Sequence, residues 1–331
     1  MNCLVIGGTQ FIGRNLVAEL LKAGHRVSVL HRKPKHALGR RVGNIVADRN
    51  DPKAIKAALA GKNFDVVFDH VYDWERGTSA AHVEGSARAA GSNLHRYIFV
   101  SSVAAYGDGL NHHEGDALAP DDAAEMYVRN KAMSERALFR LHQRIGLPVV
   151  TLRPPFVYGP HNPLYREAYF WDRLRLGRQV ILPGDGRRLM QFVYVKDLVC
   201  ASLKSMEEPG AVGHAFNIAN ARPVSQMELV ESLAKVCRKP ARCVRIPRGY
   251  IMRAGGHPMG PKMYFGVYLD VPPITQITAK AQRMLKFKPT DFEDGLKETY
   301  QWYARNAKFP KQDFSFEDAL LANAPVLPPG K

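Results

Sequence analysis

Tyr127 and Lys131 stand four residues apart in YVRNK, a spacing that puts both on one face of a helix. A tyrosine near neutrality is a poor base, with an ordinary pKa of about 10. A neighbouring ammonium favours the phenolate, and the pair then moves a proton to or from an alcohol while hydride passes to or from a nicotinamide. The Tyr-x-x-x-Lys spacing also arises by chance, so it needs partners. One partner is SSVAAYG at 101–107, directly after the apolar run at 97–100. A serine hydroxyl there would hold a substrate oxygen beside the tyrosine, as donor or acceptor.

A second partner is at the start of the chain. Residues 3–6 (CLVI) read as a buried strand, Gly7-Gly8-Thr9-Gln10-Phe11-Ile12-Gly13 as a turn, and 14–23 as a helix. A dinucleotide pyrophosphate needs bare backbone N–H groups and the positive end of a helix. Gly7 permits the sharp turn, and Gly13 lets the helix pack close to the strands. Gln10 stands where a middle glycine is usual, so its side chain points away from the phosphates or touches them. The turn residues Gly7 and Thr9 to Gly13 are therefore expected at the cofactor. About 20 residues on, where an acid would hold the ribose 2′-OH of NAD, the chain reads HRKPKH at 31–36. Arg32 and Lys33 would pair with a 2′-phosphate, which favours NADP over NAD, unless they are solvated loop charges. Asp48, with Arg49 beside it, follows the next apolar run and would accept from an adenine amino group or cap a helix.

These groups must be held by a scaffold. Apolar runs at 3–6, 27–30, 44–47, 66–68, 97–101 and 149–152 alternate with helical stretches at 14–23, 52–60, 80–90 and 125–145. Strands apolar on both faces, alternating with helices, imply a parallel, doubly wound α/β sheet with ligands at the rim where strands end. After residue 153 the pattern loosens, with helices expected at 226–237, 278–285 and 292–304 and returns to the sheet at 192–195 and 215–218. The expected organisation is a dinucleotide-binding domain of 1–160 plus 190–220, a smaller mixed substrate lobe of 161–189 plus 221–306, and a wrapping or fraying tail, 307–331.

Composition bounds the rest. The 331 residues carry 47 Lys plus Arg against 31 Asp plus Glu, a formal +16 that attracts anions without choosing among them. No run approaches a membrane span, and residues 1–6 lack a basic leader, so neither a membrane partner nor a secretory signal is expected. The four cysteines form no CxxC pair, which suits a reducing cytoplasm. His112-His113-Glu114 lacks a matched further ligand, so no metal is expected. Arg178, Arg188 and Arg248 would clamp a substrate phosphate or are solvated surface arginines. Trp74, Tyr165, Tyr169, Phe170 and Trp171 read as core or pocket wall.

GGTQFIG, SSVAAYG, YVRNK and RPPFVYGP, in this order, resemble the extended short-chain dehydrogenase/reductase family of nucleotide-sugar epimerases, dehydratases and reductases. The likeness continues through LPGDG, FVYVKDL and AFNIAN and covers roughly residues 1 to 306. It implies a Rossmann-type fold, the catalytic hydroxyl on Ser102, the base on Tyr127, and the lysine on Lys131, which also binds the nicotinamide ribose. It places His70 and Tyr72 beside the cofactor after the fourth strand, and the backbone of 154–157, Pro154 first, after the sixth. It also implies a homodimer paired through the Tyr127 helix. Gln10 departs from the family, as does Phe156, where an asparagine often meets the substrate diphosphate. A subgroup related to chloroplast stem-loop RNA-binding proteins shares the non-glycine turn residue and the RPP and VKDL styles, and many of its members diverge at the tyrosine that this chain keeps.

The reading is an NAD(P)-dependent oxidoreductase or epimerase. It acts by Tyr/Lys/Ser-assisted hydride transfer on a secondary alcohol or ketone of a sugar-like, anionic, nucleotide-linked small molecule. Its rivals are an RNA-binding protein on the same scaffold and a cofactor-sensing regulator without turnover.

Overall fold

The computed structural model describes residues 1–91, 93–306 and 312–328, and the expected tail therefore lies partly outside the described residues, at 307–311 and 329–331. Chain contacts divide the molecule into two compact units: Met1–Val157 with Val193–Ala219 and Gln276–Pro289, and Tyr158–Phe192 with Asn220–Thr275 and Thr290–Lys331.

The first unit is built on seven parallel strands: β1 (Asn2–Ile6), β2 (Arg26–His31), β3 (Val42–Val46), β4 (Val66–Asp69), β5 (Arg96–Val100), β6 (Val149–Arg153) and β7 (His214–Asn217). Their order is β3-β2-β1-β4-β5-β6-β7, every pair parallel. Cys3, Leu4, Val5 and Ile6 are fully buried, as a strand covered on both faces requires. Four helices follow the strands: α1 (Phe11–Lys22), α2 (Pro52–Leu59), α3 (Ala80–Ala89) and α4 (Met126–Ile145). Local chemistry sets their ends. Asp51 caps α2 by accepting from the Lys53 and Ala54 amides, with Pro52 in the first turn. Ser79 and His82 form a capping box on α3. Gly146, left-handed at φ 70°, closes α4.

Strand order reverses at β1, so β1 and β4 part company at their carboxyl ends, where a crevice for a ligand opens. The segment expected as a sheet strand at 192–195 forms a short strand, Phe192–Tyr194, outside the seven-stranded sheet, which closes on β7 instead. Gln276–Pro289, assigned from the sequence to the substrate lobe, joins the first unit. Gln276 donates to the Arg153 carbonyl at 2.7 Å, and the Ile277 amide to the His112 carbonyl at 2.9 Å.

In the second unit, helices Glu167–Arg175 and Phe292–Asn306 pack on Gln226–Cys237, and Val180–Pro183 pairs in parallel with Cys243–Ile246. Tyr169, Phe170 and Trp171 are fully buried, the core expected of them. The tail contains a helix, Ser315–Asn323, whose buried Glu317 pairs with buried Arg173. Among the described residues no helix is long and apolar enough to cross a membrane.

Candidate active site

The glycine turn is shaped by what it excludes. Gly7 has φ +90°, and a Cβ there would fall 2.7 Å from Val71 Cβ. A Cβ on Gly13 would strike the Gly7 carbonyl oxygen and stand 2.6 Å from His70 Cε1, so α1 approaches β1 and β4 only because residue 13 is bare. Gln10 needs no glycine: its backbone is extended (φ −132°, ψ 158°) and its side chain caps nothing. The left-handed geometry moves to Phe11 (φ 35°), a strained position at the helix start. The first amides of α1 have no partner within the helix and face outward, a cradle for an anion.

A cleft of about 410 Å³ opens beside this turn. Gly7, Thr9, Gln10, Arg32, Lys33, Asp48 and Arg49 line it, so seven of the expected cofactor residues meet in one place, joined by Lys35, Tyr72 and Asp73. Asp48 accepts from the Asn50 amide at 2.9 Å and pairs with Arg76 at 2.8 Å. Burial works against its carboxylate, but the Asn50 amide and Arg76 outweigh burial and hold it below the usual range. Arg49 lines the cleft with its guanidinium turned inward, paired with Asp69 and donating to the His82 carbonyl and Ser86 Oγ. Tyr97 donates to the same Asp69 at 2.7 Å.

His70 lies behind the turn, partly buried with its ring Nε2 sealed from solvent, and desolvation pulls its pKa down to about 4, with the nearby Lys131 charge adding to the effect and Asp69 opposing it. It is neutral at pH 7, and its Nε2 is a buried polar atom without a hydrogen-bond partner, as is Ser101 Oγ at the end of β5. A glycine cradle, a row of cations and two buried polar atoms without partners at one strand rim fit a nicotinamide dinucleotide.

Tyr127 is in the first turn of α4 and Lys131 one turn on. Lys131 is buried, donates to the Val100 carbonyl at 2.8 Å, and its Nζ lies 4.8 Å from the Phe99 ring centre and 5.8 Å from that of Tyr127. Burial pulls its pKa down to about 8, with Asp69 and Glu135 opposing the fall, so the ammonium form still predominates at pH 7. Ser102 Oγ accepts from the Ala104 amide at 3.1 Å, and its own proton can go to a substrate oxygen. Pro154 is buried, its carbonyl accepting from the Val103 amide at 2.9 Å. Phe156 is half-buried in the short strand Phe156–Tyr158.

Sequence reasoning missed an aromatic group on the phenol. Trp74, 54% exposed, stacks on the Tyr127 ring at 4.6 Å, and Tyr72 meets Tyr127 edge-on at 4.8 Å. Burial pushes the Tyr72 phenol up against the pull of the Asn130 hydrogen bond. Trp74 is therefore an exposed cover in the first unit, not core of the lobe. Asp73 and Arg76 were missed too, since what they pair with, Arg32 and Asp48, lies on other segments. The three expected substrate arginines are in the second unit. Arg178 pairs with Asp318, while Arg188 (3.0 Å) and Arg248 (2.8 Å) converge on buried Asp270.

A family model described as the NAD dependent epimerase/dehydratase family matches residues 3–219. The chain is 30% identical to the chloroplast stem-loop binding protein of 41 kDa b of Arabidopsis thaliana, over 98% of this chain and 85% of that one. It is 27% identical to a dTDP-glucose 4,6-dehydratase of an Actinoplanes species, over 92% and 98%. Among solved structures, the dTDP-glucose 4,6-dehydratase of Bacillus anthracis in complex with NAD shares the fold, with a TM-score of 0.75, 20% identity, and 92% and 97% coverage.

Proposed function

The chain belongs to the NAD-dependent epimerase/dehydratase family, and from that premise we propose that it exchanges hydride between a nicotinamide dinucleotide and a secondary alcohol or ketone on a sugar-like, nucleotide-linked substrate. The observation that carries this is Lys131, a buried ammonium poised near pH 8 one helical turn from Tyr127, at the strand rim that also holds Ser102 and the glycine cradle. When bound, the dinucleotide takes up hydride and gives it back. The Lys131 ammonium lowers the cost of phenolate on Tyr127. Tyr127 then takes the alcohol proton as the substrate is oxidised and restores it on reduction, and the Ser102 hydroxyl holds the reacting oxygen. The rings of Tyr72 and Trp74, packed on Tyr127, screen the phenol from water.

NADP is favoured over NAD, because β2 ends in Arg32 and Lys33 with no acid among 31–36. Arg188 and Arg248 leave one positive charge in excess around Asp270, which suits an anionic substrate group. The protein acts in the cytoplasm, in keeping with four cysteines outside any disulfide, and as a homodimer through α4, which exposes Ile145. The Arabidopsis relative's name supports a second reading, RNA retention by the +16 surface. That binding would weaken with salt and ignore Tyr127.

Tyr127→Phe is the test, assayed on a panel of UDP- and dTDP-sugars by nicotinamide absorbance and product chromatography. Turnover falls by roughly 10²–10⁴-fold while dinucleotide binding persists. Unchanged turnover removes Tyr127 from the chemistry.

A further inference from the structure

Asp73 follows β4 on the wall of the cleft. Its Oδ1 accepts from the amides of Glu75 (3.1 Å) and Arg76 (3.0 Å), an Asx turn that fixes the carboxylate. Its Oδ2 accepts from Arg76 Nε (2.9 Å) and Nη2 (2.7 Å) and from Arg32 Nη1 (3.3 Å). One carboxylate oxygen thus lies between two guanidiniums, the surroundings a phosphate oxygen seeks. The Asp73 side chain is 11% exposed and that of Arg32 62%, so the anion is held while the cation reaches it from solvent. Such a pair is weak and exchangeable. Arg32 comes from the end of β2, where a ribose 2′ substituent would sit.

We propose that Asp73 tempers the preference of Arg32 and Lys33 for NADP over NAD: its carboxylate is an internal counter-ion to Arg32 that a ribose 2′-phosphate must replace and a 2′-hydroxyl need not. The proposal rests on the dinucleotide reading above. NADP meets two costs that NAD avoids, the loss of the Asp73–Arg32 pair and repulsion between phosphate and carboxylate. Asp73→Asn removes both and keeps the Oδ1 acceptor that holds the turn.

Isothermal titration of the full chain with NAD and NADP, on wild type, Asp73→Asn, Arg32→Met and the double variant, decides it. Asp73→Asn tightens NADP about tenfold and moves NAD less than about threefold. With Arg32→Met in place, the gain falls below about threefold. Asp73→Ser, whose hydroxyl also accepts from turn amides, repeats the test if the Asn chain melts early. Equal shifts for both dinucleotides, no gain for NADP, or a gain undiminished without Arg32 overturns the proposal. A wild type that binds neither dinucleotide overturns the dinucleotide reading and this one with it, whereas one that binds both with a ratio indifferent to Asp73 overturns this one alone.

Discussion

His70 shows how far one side chain can be read. Its place after β4 follows from the family likeness, but its lowered pKa follows from desolvation of a ring lodged against Gly13 and from the Lys131 charge. Folded, it protonates near pH 4, and unfolded, near its ordinary 6.5. Between those values the unfolded chain binds more protons, so stability rises with pH there and is lost as pH falls from about 6.5 towards 4. The loss approaches about 3 kcal/mol. His70→Asn should flatten that part of a urea-midpoint profile against pH. A variant profile parallel to the wild type would refute the assignment. Tyr127 and Lys131 could be proposed as a pair because their spacing is local, whereas Ser102 was singled out only by the family likeness. Asp73, Arg76 and Trp74 were not, because their roles depend on partners brought in from other segments: Arg32, Asp48 and Tyr127.

α4 carries the proposed acid–base pair, and its rotation is fixed one turn beyond Lys131. Glu135 continues the four-residue spacing of Tyr127 and Lys131. Its carboxylate accepts from Arg153 Nη2 at 2.7 Å and Thr151 Oγ1 at 3.1 Å, both on β6. Arg153 Nη1 donates to Tyr106 at 2.6 Å, and Tyr106 to Asn217 on β7 at 2.8 Å. Glu135 and Arg153 are both buried. Glu135→Gln strands a buried guanidinium and should cost about 3–5 kcal/mol in denaturant unfolding, and a paired Glu135→Met/Arg153→Met chain should recover much of it. A single variant as stable as wild type would show that the helix is held by other means. The parallel strands were legible as runs apolar on both faces, and helices α1 to α4 as the stretches that alternate with them. Phe192–Tyr194 was misplaced because an apolar triplet suits any ladder and its composition does not name a neighbour. The helix Ser315–Asn323 was hidden by flanking prolines.

At the scale of the molecule, the second unit depends on its last helix. Arg173 is buried, with its guanidinium 3.3 Å from the Tyr169 ring centre, and Glu317 is its carboxylate partner. Ending the chain at Gln312 would leave that charge unanswered, and the melting transition of the second unit should fall by the equivalent of about 3–5 kcal/mol. An unshifted melt would mean that Arg173 finds another anion. The division read from the sequence put Gln276–Pro289 in the smaller lobe, whereas hydrogen bonds draw that segment to the first unit. That unit is assembled from three stretches of chain, which bears on its synthesis. Six strands have left the ribosome by residue 153, yet β7 arrives only at His214–Asn217. Until then β6, buried in the finished protein, offers an open, apolar edge to any passing strand, so the nascent chain is most exposed to mispairing while those sixty-odd residues are being made.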